Sequence, residues 1–144
     1  MKESQAKAFF DRYQRFFNRA LGGDLDLDEL AALYAPEFIA ASPAGVAAGK
    51  NDEQLKQAMA QGYARYRALG TKAMRVRAVR LSAIDGLHCV AHVAWTATYA
   101  RQGQADLNID FDVHYLMQEK DGQPKVFGWV SGDEQALLRQ HGIV

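Results

Sequence analysis

The sequence has a single cysteine, only three prolines and no net charge. One cysteine excludes an internal disulfide, which suits a reducing compartment, and we expect a cytoplasmic protein. Lysine and arginine total 17, as do aspartate and glutamate, and this balance disfavours nucleic acid as a partner. A nucleic-acid-binding protein needs a basic patch or stripe. Zero net charge also weakens the repulsion between copies, which permits self-association.

Long apolar runs are absent as well. The first residues form a charged, amphipathic pattern, so we expect no secretory signal. No segment reaches the apolar length of a membrane span, so we expect no membrane association. Of the 144 residues, 49% are hydrophobic and 24% are charged, as in an ordinary globular protein. The sequence therefore predicts a single domain over residues 1–144.

The strongest pattern is a pair of alternating segments on either side of Gly103. Apolar residues occupy every second position from Leu87 to Tyr99 and again from Leu107 to Met117. Such alternation predicts two long antiparallel strands with one apolar face and one mostly polar face. With the turn centred near Gly103, His92 falls opposite His114 on the polar face.

The rest of the chain predicts helices first and strands later. The expected elements are an aromatic-rich helix over residues 4–21, a short helix after Asp24 or Asp26, a strand over residues 38–41, a helix capped by Asn51, a strand from Lys72, a strand over residues 126–131 and a short helix started by Ser131. A parity switch near Ala78 predicts a β-bulge that bends the sheet. Segregated helices and strands predict an α+β domain.

Three short stretches carry a family resemblance: residues 18–26 at the end of the first helix, residues 30–38 leading into a strand, and the turn at Asp121-Gly122. With the element order, they resemble the nuclear transport factor 2-like superfamily, which includes ketosteroid isomerase and SnoaL-like cyclases. The resemblance covers nearly the whole chain. It implies an α+β barrel, a cone-shaped, curved antiparallel sheet with three N-terminal helices on its concave face. It also implies a ligand cavity between helices and sheet.

The residues that ketosteroid isomerisation needs are mostly missing. The isomerase pattern implies an aspartate base immediately before a proline, and Ser42 occupies that place here. It also implies a protonated aspartate on the inward parity of the penultimate strand, where this chain has Phe111 and Tyr115 among other non-acidic residues. Only Tyr13 matches, at the helix-1 tyrosine. We therefore do not expect this reaction, and the sequence leaves open whether the protein is an enzyme.

Eight apolar and aromatic residues are the candidate ligand-binding set. A single large apolar side chain more often just fills a core, but together they suit an apolar cavity with a few hydroxyl groups. The expected ligand is a small apolar or aromatic molecule, and no cofactor is expected. The set is Tyr13, Phe17, Tyr34, Met59, Tyr63, Trp95, Phe111 and Tyr115.

Two alternatives to simple binding remain. In the first, the protein is a SnoaL-like isomerase, cyclase or hydratase without a cofactor. Tyr13, Ser42 or Tyr34 would then polarise the substrate, and Asp106 or Asp110 would act as the base. In the second, the protein is a homodimeric association module that binds no small ligand.

The polar face of the hairpin allows two interpretations. His92, His114 and Asp112 could share a metal ion, but the sequence contains no compact ligand motif, so we expect no metal. The favoured interpretation is a two-fold homodimer, because a mixed apolar and polar surface suits a subunit interface. The expected interface residues are Val90, His92, His114, Leu116, Phe127 and Trp129.

Overall fold

The computed structural model describes all 144 residues and confirms the α+β class. The helices are α1 (Glu3–Leu21), α2 (Leu27–Ala32), α3 (Glu53–Ala68) and α4 (Glu134–Gln140). The strands are β1 (Tyr34–Ser42), β2 (Gly45–Lys50), β3 (Thr71–Ala83), β4 (His88–Tyr99), β5 (Leu107–Lys120) and β6 (Gln123–Ser131). They form one curved, unclosed sheet in the order β2-β1-β6-β5-β4-β3, and the core lies between its concave face and the helices.

Helix α1 carries the aromatic side of the core. Phe10 and Phe16 are almost completely buried, and burying one such side chain stabilises the fold by roughly 1.5–3 kcal/mol. Polar residues on the same helix fasten it to β3. The Asn18 amide accepts from the Met74 N–H and donates to the Met74 carbonyl, both at 2.8 Å. The Gln14 side chain accepts from the Val76 N–H at 2.6 Å, so the position of α1 over β3 is fixed.

The hairpin of β4 and β5 has the register that the sequence predicts. His92 lies opposite His114, and Trp95 lies opposite Phe111. The expected bulge in β3 is also present, because the β3–β4 register shifts between Val76 and Ala78. This extra residue bends the strand and contributes to the curvature of the sheet.

The segment before α3 contains more strand than expected. Residues 38–41 belong to a longer strand, β1, which forms an antiparallel hairpin with the unexpected strand β2. Strand β2 consists mainly of small residues, such as Gly45 and Ala47, so its sequence shows no alternation of apolar and polar side chains. Strand β1 also pairs with β6 in parallel, so one pair in the otherwise antiparallel sheet is parallel. The side chain of Tyr34, at the start of β1, is buried.

Two helix starts differ from expectation by one or two residues. Asp52, not Asn51, caps α3, and its carboxylate accepts from the Gln54 N–H. Asn51 instead donates to the carbonyls of Ala31 and Tyr34, which ties α2 to β1. At α4 the capping residue is Asp133 instead of Ser131, which ends β6.

The register of β5 and β6 differs from the sequence prediction. Simple pairing around the turn at 121–122 places Trp129 opposite His114, but the structure has Val130 there and Trp129 opposite Tyr115. The cause is a register shift between Leu116 and Met117, where Phe127 is the extra residue in β6. A one-residue slip moves a side chain to the other face of a sheet. Trp129 therefore lies on the concave side, and its assignment to the outer face is wrong.

Candidate functional site

A pocket of about 290 Å³ lies between the helices and the concave face of the sheet, and we call it the central pocket. All eight residues of the expected ligand-binding set line it. The full lining is Tyr13, Phe17, Tyr34, Met59, Gly62, Tyr63, Tyr66, Met74, Trp95, Phe111, Val113, Tyr115, Trp129, Ser131 and Glu134. Nine of these fifteen residues are aromatic, and none is lysine, arginine or histidine.

Helical and strand periodicity explain why these side chains meet. On α1, Tyr13 and Phe17 are four residues apart and share one face of the helix. On β5, Phe111, Val113 and Tyr115 occupy alternate positions and so share the concave face. The sequence pattern was sufficient to find both groups.

Three phenol groups form a cluster in the wall of the pocket. The hydroxyl oxygens of Tyr13 and Tyr34 are 3.0 Å apart, and the Trp95 indole N–H donates to the Tyr115 hydroxyl at 3.2 Å. Loss of hydration on burial raises the pKa of each of these three tyrosines, so all three stay protonated at neutral pH. The cluster therefore presents neutral hydrogen-bonding groups.

The phenol cluster has more hydrogens than its own contacts use. Three hydroxyl groups carry three hydrogens, and the contact between Tyr13 and Tyr34 uses one of them. The contact with Trp95 uses none, because an indole nitrogen only donates. Even if Tyr115 donates to a neighbouring phenol, one O–H remains for a hydrogen-bond acceptor. The wall thus offers a donor to a molecule in the pocket.

Trp129 forms another part of the wall. Its ring stacks on Phe38 with centroids 5.3 Å apart and an interplanar angle of 18°, and it meets Tyr34 edge-on at 5.7 Å. Gly49 makes room for this arrangement, because a Cβ atom there would come within 2.5 Å of the Phe38 ring. The hairpin of β1 and β2 therefore supports an aromatic wall that the sequence pattern did not reveal.

Glu134 is the one charged residue in the lining, and no functional role was predicted for it. As the first residue of α4 it lies at the mouth of the pocket, and the residue as a whole is exposed to solvent. Loss of hydration raises the pKa of its carboxyl group, while Arg65 and the Tyr66 hydroxyl act in the opposite direction. Its pattern resembles an ordinary helix start, which is why sequence reasoning missed it. The available signal for a pocket residue was its position in the sequence shortly after the last strand.

A second, more polar pocket of about 570 Å³ continues outward from the mouth. We call it the vestibule. It shares Gly62, Tyr66, Ser131 and Glu134 with the central pocket. Arg65 lines the vestibule and not the central pocket. A molecule entering by this route passes from polar to aromatic surroundings.

The structure separates the candidate catalytic residues. Tyr13 lies in the central pocket, whereas Ser42 lines the vestibule and its hydroxyl oxygen accepts from the Ala44 N–H at 3.2 Å. Asp110 accepts from the Thr96 hydroxyl at 2.6 Å, and it lines a separate pocket together with Glu134 but not the central pocket. Asp106 pairs with Lys72 at 2.8 Å and does not line the pocket. Of the carboxylates, only Glu134 lines the central pocket itself.

The outer, convex face of the sheet carries the other predicted residues. The Nδ1 atoms of His92 and His114 lie 2.7 Å apart, and the Ser82 hydroxyl lies 2.8 Å from His92 Nε2. Burial lowers the pKa of His92, with further contributions from Arg80 and His114. Nowhere in the chain do three or more histidine, cysteine, aspartate or glutamate side chains form a group that could hold a metal ion.

Apolar side chains adjoin the two histidines on the convex face. Across the strands, Val90 lies opposite Leu116 and Val130 lies opposite His114. Ile39 and Val130 are each 46% exposed, and Val46 is 74% exposed. We call this surface the convex patch, and its residues are Ile39, Val46, Val90, Leu116, Phe127 and Val130. Exposed apolar patches of this kind are typical of interaction surfaces.

The curved sheet with helices over an aromatic pocket defines a domain of the NTF2-like class. A family model described as "NTF2-like protein (DUF6841)" matches residues 2–134, and the chain belongs to this family. The resemblance expected from the sequence is thereby confirmed. No curated protein matches the chain.

Solved structures agree with this fold at low sequence identity. An NTF2-like protein with a cystatin-like fold from Novosphingobium aromaticivorans is 12% identical, with a TM-score of 0.69 over 94% of this chain and 87% of that one. The β subunit of benzoate 1,2-dioxygenase from Burkholderia mallei is 14% identical, with a TM-score of 0.67 over 95% and 94%. A ketosteroid isomerase-like protein from Erwinia carotovora atroseptica is 16% identical, with a TM-score of 0.61 over 92% and 97%. These likenesses describe the fold alone.

None of the helices has the length and apolar character needed to cross a membrane.

Proposed function

We propose that this protein binds a small molecule in the central pocket, with an apolar or aromatic body and an oxygen that accepts a hydrogen bond. The phenol cluster carries the proposal. Aromatic walls favour a flat apolar body, because stacked and edge-on ring contacts add to the free energy of burial. The unused phenolic hydrogen favours an acceptor oxygen at the wall, because a buried donor without a partner is unfavourable. A volume of about 290 Å³ suits a ligand of one or two fused rings.

Two naphthalene probes that differ in one oxygen test the proposal. Acetonaphthone carries an acceptor oxygen, and ethylnaphthalene has the same shape without it. We expect the ketone to bind more tightly, and Tyr13→Phe together with Tyr34→Phe to reduce that preference by roughly fivefold to tenfold. Tyr99→Phe is the matched control, because Tyr99 is buried but does not line the central pocket. If neither probe binds, or if the double variant keeps the full preference, the proposal fails.

A second candidate function is proton transfer without a cofactor, as in the SnoaL-like alternative. Glu134 supports this candidate, because a carboxylate of raised pKa faces a pocket that also offers phenolic donors. In this scheme Tyr13 or Tyr34 polarises a carbonyl oxygen and Glu134 accepts the proton. The test is exchange of the acidic C–H hydrogens of acetonaphthone in heavy water. Exchange above the buffer rate that Glu134→Gln abolishes supports catalysis, and binding without any enhanced exchange leaves only the first proposal.

We also propose that two copies associate through the convex patch as a two-fold dimer. Exposed Ile39 and Val130 next to Leu116 support this, and the residues expected from the sequence at Val90, His92, His114 and Phe127 belong to the same face. Trp129 is excluded from the interface, because it lies in the pocket wall. If the chain dimerises but no probe enters the pocket, the association module without a ligand is the better account.

A further inference from the structure

The charge distribution in the central pocket narrows the chemistry of its ligand. Among the lining residues, Glu134 is the only one that ionises near neutral pH, and no cationic side chain belongs to the set. The phenols of Tyr13, Tyr34 and Tyr115 stay neutral. Within this lining, the ionised Glu134 carboxylate is therefore the only net charge.

The aromatic rings of the lining attract a cation, as this carboxylate does. The face of an aromatic ring is electrostatically negative and attracts a cation within about 6 Å of the ring centre. A smaller pocket lies under α4 beside the central pocket. Both pockets are lined by Tyr66, Phe111 and Glu134. Two ring systems and a carboxylate thus line the same two adjoining pockets. Aromatic side chains around a cation are used in proteins to recognise alkylammonium ligands, and a carboxylate adds a direct charge attraction.

Arg65 is the cationic side chain whose charge acts on Glu134, and it does not line the central pocket. This residue, on α3, lines the vestibule together with Glu134. Its charge lowers the pKa of Glu134, but the larger effect of lost hydration still leaves this pKa raised. Arg65 therefore offsets the carboxylate charge only from the vestibule side, and a cation inside the central pocket would stabilise the ionised Glu134 further. No such cation is supplied by the lining of the central pocket.

We propose that the central pocket selects an organic monocation: an ammonium group at the mouth, held by Glu134 and the rings of Tyr66 and Phe111, attached to a flat apolar body. The apolar body occupies the aromatic interior, and an acceptor oxygen on it meets the phenol cluster. This inference rests on the proposed binding function and adds the charge of the ligand to it. A neutral or anionic ligand of the same shape leaves the Glu134 charge without a partner inside the central pocket.

Three probes with one naphthalene body and different charge test the inference. They are naphthylmethylamine, which is a cation at neutral pH, naphthalenemethanol, which is neutral, and naphthoate, which is an anion. We expect the amine to bind about tenfold or more tightly than the alcohol, and the anion to bind most weakly. This order is measured on the unmodified protein by calorimetry, so the test does not depend on a variant that folds.

Variants then assign the preference to Glu134. Glu134→Gln should weaken amine binding by about tenfold and so remove the preference for the amine over the alcohol. Glu37→Gln is the matched control, because Glu37 is exposed and outside the pocket, and it should change neither value. An alcohol or naphthoate that binds as tightly as the amine overturns the inference while the binding function stands. An amine preference that survives Glu134→Gln overturns it too. If none of the three probes binds, the binding function itself is wrong.

Discussion

The hydroxyl groups of Tyr13 and Tyr34 lie 3.0 Å apart and join α1 to the start of β1. Both residues are buried, and burial raises the pKa of both, so the contact is a neutral hydrogen bond at physiological pH. It connects two elements that are distant in the sequence and forms part of the pocket wall. The same contact therefore contributes to stability and positions the donor that we assign to a ligand.

Removal of either hydroxyl group should destabilise the fold modestly, and the effects of the two removals should not be additive. Tyr13→Phe and Tyr34→Phe should each lower the free energy of unfolding by about 1 kcal/mol, because each removes the same hydrogen bond. The double variant should be less destabilised than the sum of the two, since the bond is lost only once. Urea denaturation of the four proteins measures this coupling. Strictly additive effects would show that the two hydroxyls do not interact.

The pKa of Glu134 gives a prediction for the pH dependence of stability. In the folded protein this pKa is raised, so the folded state holds the proton more tightly than the unfolded chain. The free energy of unfolding should therefore fall as pH rises from the ordinary carboxyl pKa through the raised value. Glu134→Gln should remove this part of the pH dependence, and Glu37→Gln should retain it. The measurement is urea denaturation over a series of mildly acidic to neutral buffers. A wild-type slope that persists in Glu134→Gln contradicts the assignment.

Alanine at two glycines should have opposite effects on stability. At Gly49 the new methyl group meets the Phe38 ring at 2.5 Å and displaces its stack with Trp129, so we expect a loss of about 1–3 kcal/mol. At Gly62, in the interior of α3, nothing lies within 4 Å of the new Cβ atom. There we expect a gain of up to about 1 kcal/mol, because alanine favours a helix more than glycine does. Thermal unfolding of both variants decides this, and equal effects at the two sites would count against the described wall.

The proposed dimer predicts which exposed apolar residues matter. Ile39→Lys and Val130→Lys place charges in the convex patch, so each should shift the protein toward the monomer at micromolar concentration. Ile84→Lys is the matched control, because Ile84 is 62% exposed but lies outside the patch. Sedimentation analysis gives the mass of each variant. A wild-type monomer, or a dimer that Val130→Lys leaves unchanged, contradicts the proposed interface.

Local patterns predicted a large part of this structure. The α1 stripe and the long alternation around Gly103 determine which side chains face inward, because periodicities of 3.6 and 2 residues directly set the face. For that reason Tyr13, Phe17, Trp95, Phe111 and Tyr115 lie in one pocket, and the three other predicted residues reach the same pocket from β1 and α3. The register of His92 opposite His114 followed from the turn position alone.

Features that depend on an inserted residue or on distant packing were not predictable in this way. The bulge at Phe127 moves Trp129 from one face to the other, and no local pattern marks it. Strand β2 consists of small residues without alternation, and its pairing with β1 becomes visible only in the fold. Glu134 resembles an ordinary residue of a helix start in the sequence. Its position in the pocket lining arises because α4 directly follows β6 in the chain.

Occupation of the central pocket by a small aromatic molecule can be followed through the four methionine methyl groups. Met59 and Met74 line the pocket, whereas Met117 is fully buried outside its lining and the Met1 sulfur lies 3.7 Å from that of Cys89. Methyl-labelled protein is titrated with naphthalenemethanol and observed by NMR. We predict that the Met59 and Met74 signals shift together and saturate, while those of Met1 and Met117 stay unchanged. Unchanged Met59 and Met74 signals at saturating probe, or shifts confined to Met1, would contradict a ligand site in this pocket.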